Sequence, residues 1–215
     1  MGGAAPTDST ATGTVAITAG SSTQSGTVQI LTRGVDQTLV KVQVAGTTST
    51  LIYSRGFASY SDGTTIQPLC MEQAVSTAAP EFPLPLLQGA LQSTDFAFTY
   101  IGQETIGTTT ANHIQLWNTF TSNAQFQSIA PISRKDLWLD ATTGLPVRIA
   151  FTVQPGQGAV PKLRVVVDYS NYQNVGGALY PFSVQKSING MPSAAITIAN
   201  VALNSGLSDS NFPLQ

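Results

Sequence analysis

The sequence is poor in the residues from which most active sites are built. It contains one cysteine, Cys70, and one histidine, His113, among 215 residues. A lone cysteine allows no intrachain disulfide, and Cys70 reads as a small buried hydrophobe. It also stands far from where a lipid-attachment cysteine would be, at the start of a mature chain. One His and one Cys in separate segments cannot make a zinc tetrahedron without carboxylates, and the scattered acidic residues form no calcium loop. Neither a metal site nor a cofactor is expected. Charge is scarce too: 9% of residues, against roughly 25% in an average soluble chain. Nine basic and eleven acidic residues leave a net charge of −2. The densest basic pair is Arg134-Lys135, so neither nucleic acid nor an anionic membrane surface is an expected partner.

Long apolar runs are missing as well. The most apolar stretch, Phe82 to Leu91, holds Pro83 and Pro85 and is too short to span a bilayer, so no stable membrane insertion is expected. The opening Met1-Gly2-Gly3-Ala4-Ala5-Pro6-Thr7 reads as the start of a mature chain whose leader has been removed. That implies a periplasmic or secreted protein whose residues 1–10 form a disordered mature N-terminus. Hydrophobic residues make up 42% of the chain, ample for a core, and 215 residues fit a single β-rich domain.

What is abundant is alternation. Val15 and Ile17, Val28 and Ile30, Val40, Val42 and Val44, then Leu51 and Tyr53 each alternate with polar or small neighbours, the period of a half-buried strand. The second half repeats it in Leu145 to Val153, Leu163 to Tyr169, Tyr180 to Val184, and Ile196 to Leu203. Asp140-Ala141-Thr142-Thr143-Gly144 and Asn189-Gly190 are hairpin turns, and Pro155 to Gly158 and Gly176-Gly177 punctuate the rest. Short turns between adjacent runs imply an antiparallel meander. From Pro68 to Thr94 alternation fails, and short helices are expected at Cys70 to Val75 and Pro83 to Leu91, with a further turn of helix within Thr121 to Pro131. The expected fold is mainly β with short helices. It is one large curved antiparallel sheet of about nine to eleven strands, a half-open β barrel, covered on its concave face by helices. The alternative is a two-sheet sandwich.

Catalytic constellations are few. His113 lies in a strand with no Gly-x-Ser-x-Gly elbow to supply a nucleophile. Asp136 and Asp140 flank Trp138 on one side of a strand, a pairing that glycoside hydrolysis could use, but strand rise puts their Cα atoms roughly 13 Å apart. Asp140 is in any case explained as a turn cap. Gly156-Gln157-Gly158 is not succeeded by a helix start, so it is no phosphate cradle. What remains is a surplus of large apolar side chains, Leu86 and Phe96 among them. Leu84, Leu87, Leu91, Phe98, Trp117 and Trp138 are the candidate contacts for an apolar guest.

The wording of the C-terminal half carries a resemblance. Leu137-Trp138-Leu139-Asp140-Ala141-Thr142-Thr143-Gly144-Leu145-Pro146-Val147-Arg148 resembles the hairpin of the lipoprotein-carrier-like (LolA/LolB-like) superfamily. So do Asp168-Tyr169-Ser170-Asn171-Tyr172-Gln173, Tyr180-Pro181-Phe182, and the close from Ile198 to Asn204 and Leu207 to Phe212. The resemblance spans residues 134–213, and exported proteins of soil bacteria share it. It implies a half-open barrel with helices across its mouth, export to a Gram-negative-type periplasm, and a concave apolar working surface. One departure stands out: where the carriers have an amphipathic lid helix, this chain has the proline-rich, uncharged stretch Phe82 to Leu91. The expected function is therefore a non-enzymatic module that holds an apolar small molecule, lipid or lipoprotein. The alternatives are an envelope protein-interaction or sensor domain with a filled core and, third, a hydrolase using Asp136 or His113.

Overall fold

The computed structural model describes residues 6–77, 82–153 and 162–214. Six strands come first: β1 (Asp8–Ala19), β2 (Ser22–Arg33), β3 (Gln37–Val44), β4 (Thr47–Ser54), β5 (Phe57–Ser61) and β6 (Ile66–Pro68). Two helices come next, α1 (Met71–Thr77) and α2 (Leu84–Gln92). The second half holds β7 (Phe96–Ile106), β8 (Thr109–Asn118), a 3-10 helix over Ala124–Ser133, β9 (Lys135–Asp140) and β10 (Pro146–Val153). It ends with β11 (Leu163–Val175), β12 (Ala178–Ile188), β13 (Met191–Leu203) and a 3-10 turn at Asp209–Asn211. The Pro155 to Gly158 turn expectation lies outside the described residues.

All thirteen strands form one curved open antiparallel sheet in the order β6-β5-β4-β3-β2-β1-β13-β12-β11-β10-β9-β8-β7. The sheet is thus two meanders, β1 to β6 and β7 to β13, joined where β1 pairs with β13. This excludes the two-sheet sandwich. At the join, β1 slips register between Thr12 and Gly13. A Cβ on Gly13 would lie 2.1 Å from the carbonyl oxygen of Thr197, so the backbones can meet there only at glycine. The hairpins obey the expected turn chemistry. Asp140 Oδ1 accepts the N–H groups of Thr142 and Thr143, while Asn189 and Gly190 take φ of 50° and 80°, as a two-residue hairpin turn requires.

There are more strands than expected because both sheet ends conceal their alternation. β6 is three exposed residues. β7 is an edge strand with Phe98, Tyr100 and Ile101 all exposed, so no single face stands out as apolar. The N-terminal expectation needs correction: residues 8–10 are not a loose arm but the start of β1, with Asp8 and Ser9 buried. Asp8 accepts hydrogen bonds from the Ser205 N–H and hydroxyl and from the N–H groups of Gly206 and Leu207. That cluster of donors clasps the segment after β13 onto the start of β1. Residues 1–5 lie outside the described residues.

Register sorts the side chains into two faces. One carries the largest apolar cluster, including Val15, Ile30, Leu116, Leu137, Phe151 and Tyr180. The helices pack on this face. Phe82, just before α2, stacks on Tyr180 of β12 with ring centroids 3.9 Å apart, and Leu84, Leu86 and Leu87 rest against the same cluster. The other face carries smaller clusters. Leu31 and Ile52 lie under Phe212, and Trp138 lies with Ala111 and Ala150.

Candidate ligand-binding cavity

α2 starts where Pro83 and Pro85 can sit without losing an intrahelical bond, and Leu87 N–H closes the first turn onto the Pro83 carbonyl. At about 100° per residue, Pro85, Leu86, Gly89 and Ala90 share one side of this helix, and Leu84, Leu87 and Leu91 share the other. Leu84, Leu87 and Leu91, three of the candidate guest contacts, are thus on one side. Leu84 and Leu87 rest on the core, and the most buried side is the one bearing small residues: Pro85 and Ala90 are buried, and a Cβ on Gly89 would lie 3.4 Å from Val35 Cβ in the β2–β3 turn. Small residues let the helix approach that turn closely. Leu91 is left 83% exposed.

A half-enclosed cavity of about 380 Å³ lies beside this side of α2. Leu86 and Gly89 of α2 and Ala74 and Val75 of α1 form one wall, and Phe96, Leu116 and Phe120 another. Val35 and Asp36 of the β2–β3 turn, Thr38 of β3 and Tyr53 of β4 complete the lining on the other side. Seven strands separate β3 from β8 in the sheet order, so residues of both can line one cavity only because the sheet curls round. α1 accordingly touches both β5 and β10.

The buried charged residue of this wall is Lys135. It opens β9, and with Leu137 it belongs to the face of the main cluster, opposite Leu116 on one side and Phe151 on the other. Its side chain is almost wholly buried, at 3% exposure. The ammonium donates to the carbonyls of Val75 and Ser133, both at 3.3 Å, and sits 5.7 Å from the centroid of the Phe151 ring. Among the described residues no carboxylate forms an ion pair with it. Burial pulls its pKa from the usual 10.5 down to about 8.

The six residues expected to contact a guest are not brought together. Leu84 and Leu87 support α2 on the core without lining the cavity, and Leu91 points away from it. Phe98 does face the cavity side, in the cross-strand row Phe98–Leu116–Lys135, but as an exposed edge residue. Trp117 and Trp138 are on the opposite face, because period two turns Leu116 and Leu137 inward and so turns their neighbours outward. Trp117 stacks beneath Arg134, 5.6 Å from its guanidinium carbon. Sequence reasoning missed Lys135, although its signal was present. Lys135, Leu137 and Leu139 are in phase, so a lysine was riding on the apolar side of a strand.

Trp138 instead belongs to an outer polar network. Its indole N–H donates to Glu104 Oε2 at 3.0 Å, and its ring stacks on His113 with centroids 4.3 Å apart. His113 meets Glu104 at 2.6 Å through Nδ1 and Asp136 at 3.2 Å through Nε2. Gln115 and Arg164 also donate to Asp136. Burial would raise the Asp136 pKa, but the hydrogen bonds from Gln115, His113 and Arg164 hold it below the usual range. The indole of Trp138 and then His113 do the same for Glu104. Among the described residues no hydroxyl or thiol hydrogen-bonds His113. Asp136 is bonded to three side chains and Asp140 caps its turn, so both carboxylates have structural partners.

No family model matches the sequence, and no curated protein matches it. Solved structures do share its shape. A DUF1329 family protein from Desulfovibrio piger superposes with a TM-score of 0.63 at 14% identity, over 98% of this chain and 92% of that one. A LolA superfamily protein from Nitrosomonas europaea gives 0.61 at 13% identity, over 96% and 90%. A Vibrio parahaemolyticus domain, proposed as an outer membrane lipoprotein-sorting protein, gives 0.61 at 15% identity, over 95% and 88%. At such identities the likeness is one of fold, and it agrees with what the hairpin wording of residues 134–213 implied: the chain has a LolA-like fold.

Proposed function

We propose that this chain is a non-enzymatic binding module of the bacterial periplasm or cell envelope. It holds an apolar ligand, an acyl chain or lipid, between the sheet and helices α1 and α2. In this reading the two helices close the concave face of the half-open barrel, and the chain works as one domain. The observation that carries it is the cavity of about 380 Å³ walled by Leu86, Phe96, Leu116 and Phe120, within the size range of small-molecule sites and with the same mostly apolar lining. The LolA-like fold supports it, because one neighbour of that fold is proposed as a lipoprotein-sorting domain. No helix among the described residues is long and apolar enough to cross a membrane. Titration of the full chain with alkyl ligands of graded length, monitored by thermal shift, tests the proposal. A ligand at 100 times its Kd adds roughly 2.7 kcal/mol of stability. Absence of any shift across the series overturns it.

A second reading rests on a different observation. β7 is an eleven-residue edge strand presenting Phe98, Tyr100 and Ile101 to solvent, and an unpaired edge of this kind can accept another strand. A protein-interaction domain predicts that Ile101→Lys abolishes association while leaving alkyl-ligand binding intact.

A further inference from the structure

The position of Lys135 says more about the ligand than the apolar walls do. An ammonium group has three N–H donors. Two of those of Lys135 are taken by the Val75 and Ser133 carbonyls, and among the described residues no acceptor takes the third. Neutral carbonyls and an aromatic face do not balance a desolvated charge. An isolated buried cation is unfavourable unless it is paired, and here it lines the cavity itself. Among the described residues the carboxylate on the cavity wall, Asp36, is in the exposed β2–β3 turn and makes no ion pair with Lys135. We infer that the cavity takes an anionic amphiphile, whose carboxylate or phosphate head pairs with the Lys135 ammonium while its tail lies against Leu86, Phe96, Leu116 and Phe120. The inference rests on the proposed ligand-binding function and names the chemistry of its ligand. Attraction between opposite charges grows as water is excluded, so a single lysine in this setting can discriminate strongly by charge. The same lysine on an open surface would discriminate little.

The test compares probes with one tail and different heads on the full chain: laurate, monododecyl phosphate, 1-dodecanol and dodecylamine, all below their aggregation limits, with Kd measured by calorimetry at pH 7. The wild type is expected to bind laurate or monododecyl phosphate at least tenfold more tightly than dodecanol, and dodecylamine most weakly. The two anionic probes separate a carboxylate head from a phosphate head. Lys135→Met is expected to remove the preference while still binding dodecanol. It retains Asp36 and Tyr53 of the cavity wall, so the change reports Lys135 alone. Removing an unpaired buried charge favours folding, and circular dichroism verifies the fold. The second readout needs no variant: wild-type laurate affinity is expected to fall between pH 7 and 9.5 as Lys135 loses its proton, while dodecanol affinity stays level. Equal binding of laurate and dodecanol by the wild type, or a preference that survives in Lys135→Met, overturns the anionic head while leaving the apolar cavity standing. Failure of all four probes to bind overturns the ligand-binding function itself.

Discussion

The Lys135 ammonium donates to the carbonyl of Val75 across 3.3 Å and sixty positions of sequence. This contact ties α1 to β9 at the cavity wall, and it places a buried cation where the rest of the lining is mostly apolar. The same residue governs how stability should respond to pH. Its pKa falls from 10.5 to about 8 on folding, so between those values the unfolded chain binds more protons and stability rises with pH. Below pH 8 the buried charge opposes folding by about 3 kcal/mol.

Lys135→Met should therefore flatten part of the pH dependence. From pH 7 to 9.5 the wild type should gain stability relative to the variant by about 2 kcal/mol, tracking the proton released by Lys135. Urea unfolding of both proteins at the two pH values measures it. A constant difference between them contradicts the buried, uncompensated lysine.

Asp8 gives a dependence of the same sign in the acid range. Burial would raise its pKa, but the hydrogen bonds from Ser205, Gly206 and Leu207 outweigh it and hold it below the usual carboxylate range. A lowered carboxylate pKa stabilises the fold above the unfolded value, and that contribution is lost as pH falls through the folded one. Asp8→Ala leaves several donors unsatisfied and should cost about 2 kcal/mol at pH 7. The loss should shrink in acid, as read by urea unfolding.

The two leucines of α2 on opposite sides should behave differently. Leu86→Trp projects into the cavity and should weaken alkyl-ligand binding at least tenfold. Leu91→Ser, at a position 83% exposed, should change neither binding nor stability by more than about 0.5 kcal/mol. Calorimetric titration of both variants checks it, and the reverse pattern would place the ligand on the Leu91 side of α2.

Trp138→Phe removes the indole hydrogen bond to Glu104 and should cost about 1 kcal/mol of stability. Because Trp138 faces away from the cavity, ligand affinity should not change. Loss of binding in this variant would place the site on the outer face.

Much of the architecture was legible in local pattern. The alternation of Leu145 to Val153 and Leu163 to Tyr169, with turns at Asp140 to Gly144 and Asn189-Gly190, predicted β10, β11 and their hairpins, because strand period and turn conformation depend on neighbouring residues alone. β5, β6 and β7 were harder to read, since the strands toward the sheet ends lack a fully covered face that would force clean alternation. Trp117 and Trp138 were read as guest contacts from their size, and the structure places them on the face away from the cavity. Phase with Leu116 and Leu137 would have turned them outward, and the same phase would have brought Lys135 inward.

The sequence by itself determined that the chain makes antiparallel strands, which residues share a strand face, and where the tight turns fall. All of these arise from interactions a few bonds apart. Only the tertiary structure decided that β1 pairs with β13, that the sheet curls until β3 and β8 line one cavity, and that Pro85 and Ala90 become the buried residues of α2. Those outcomes depend on closing long loops and on fitting surfaces that meet only after the sheet has formed. The cavity, and the buried charge in its wall, come from that fit and from no local pattern.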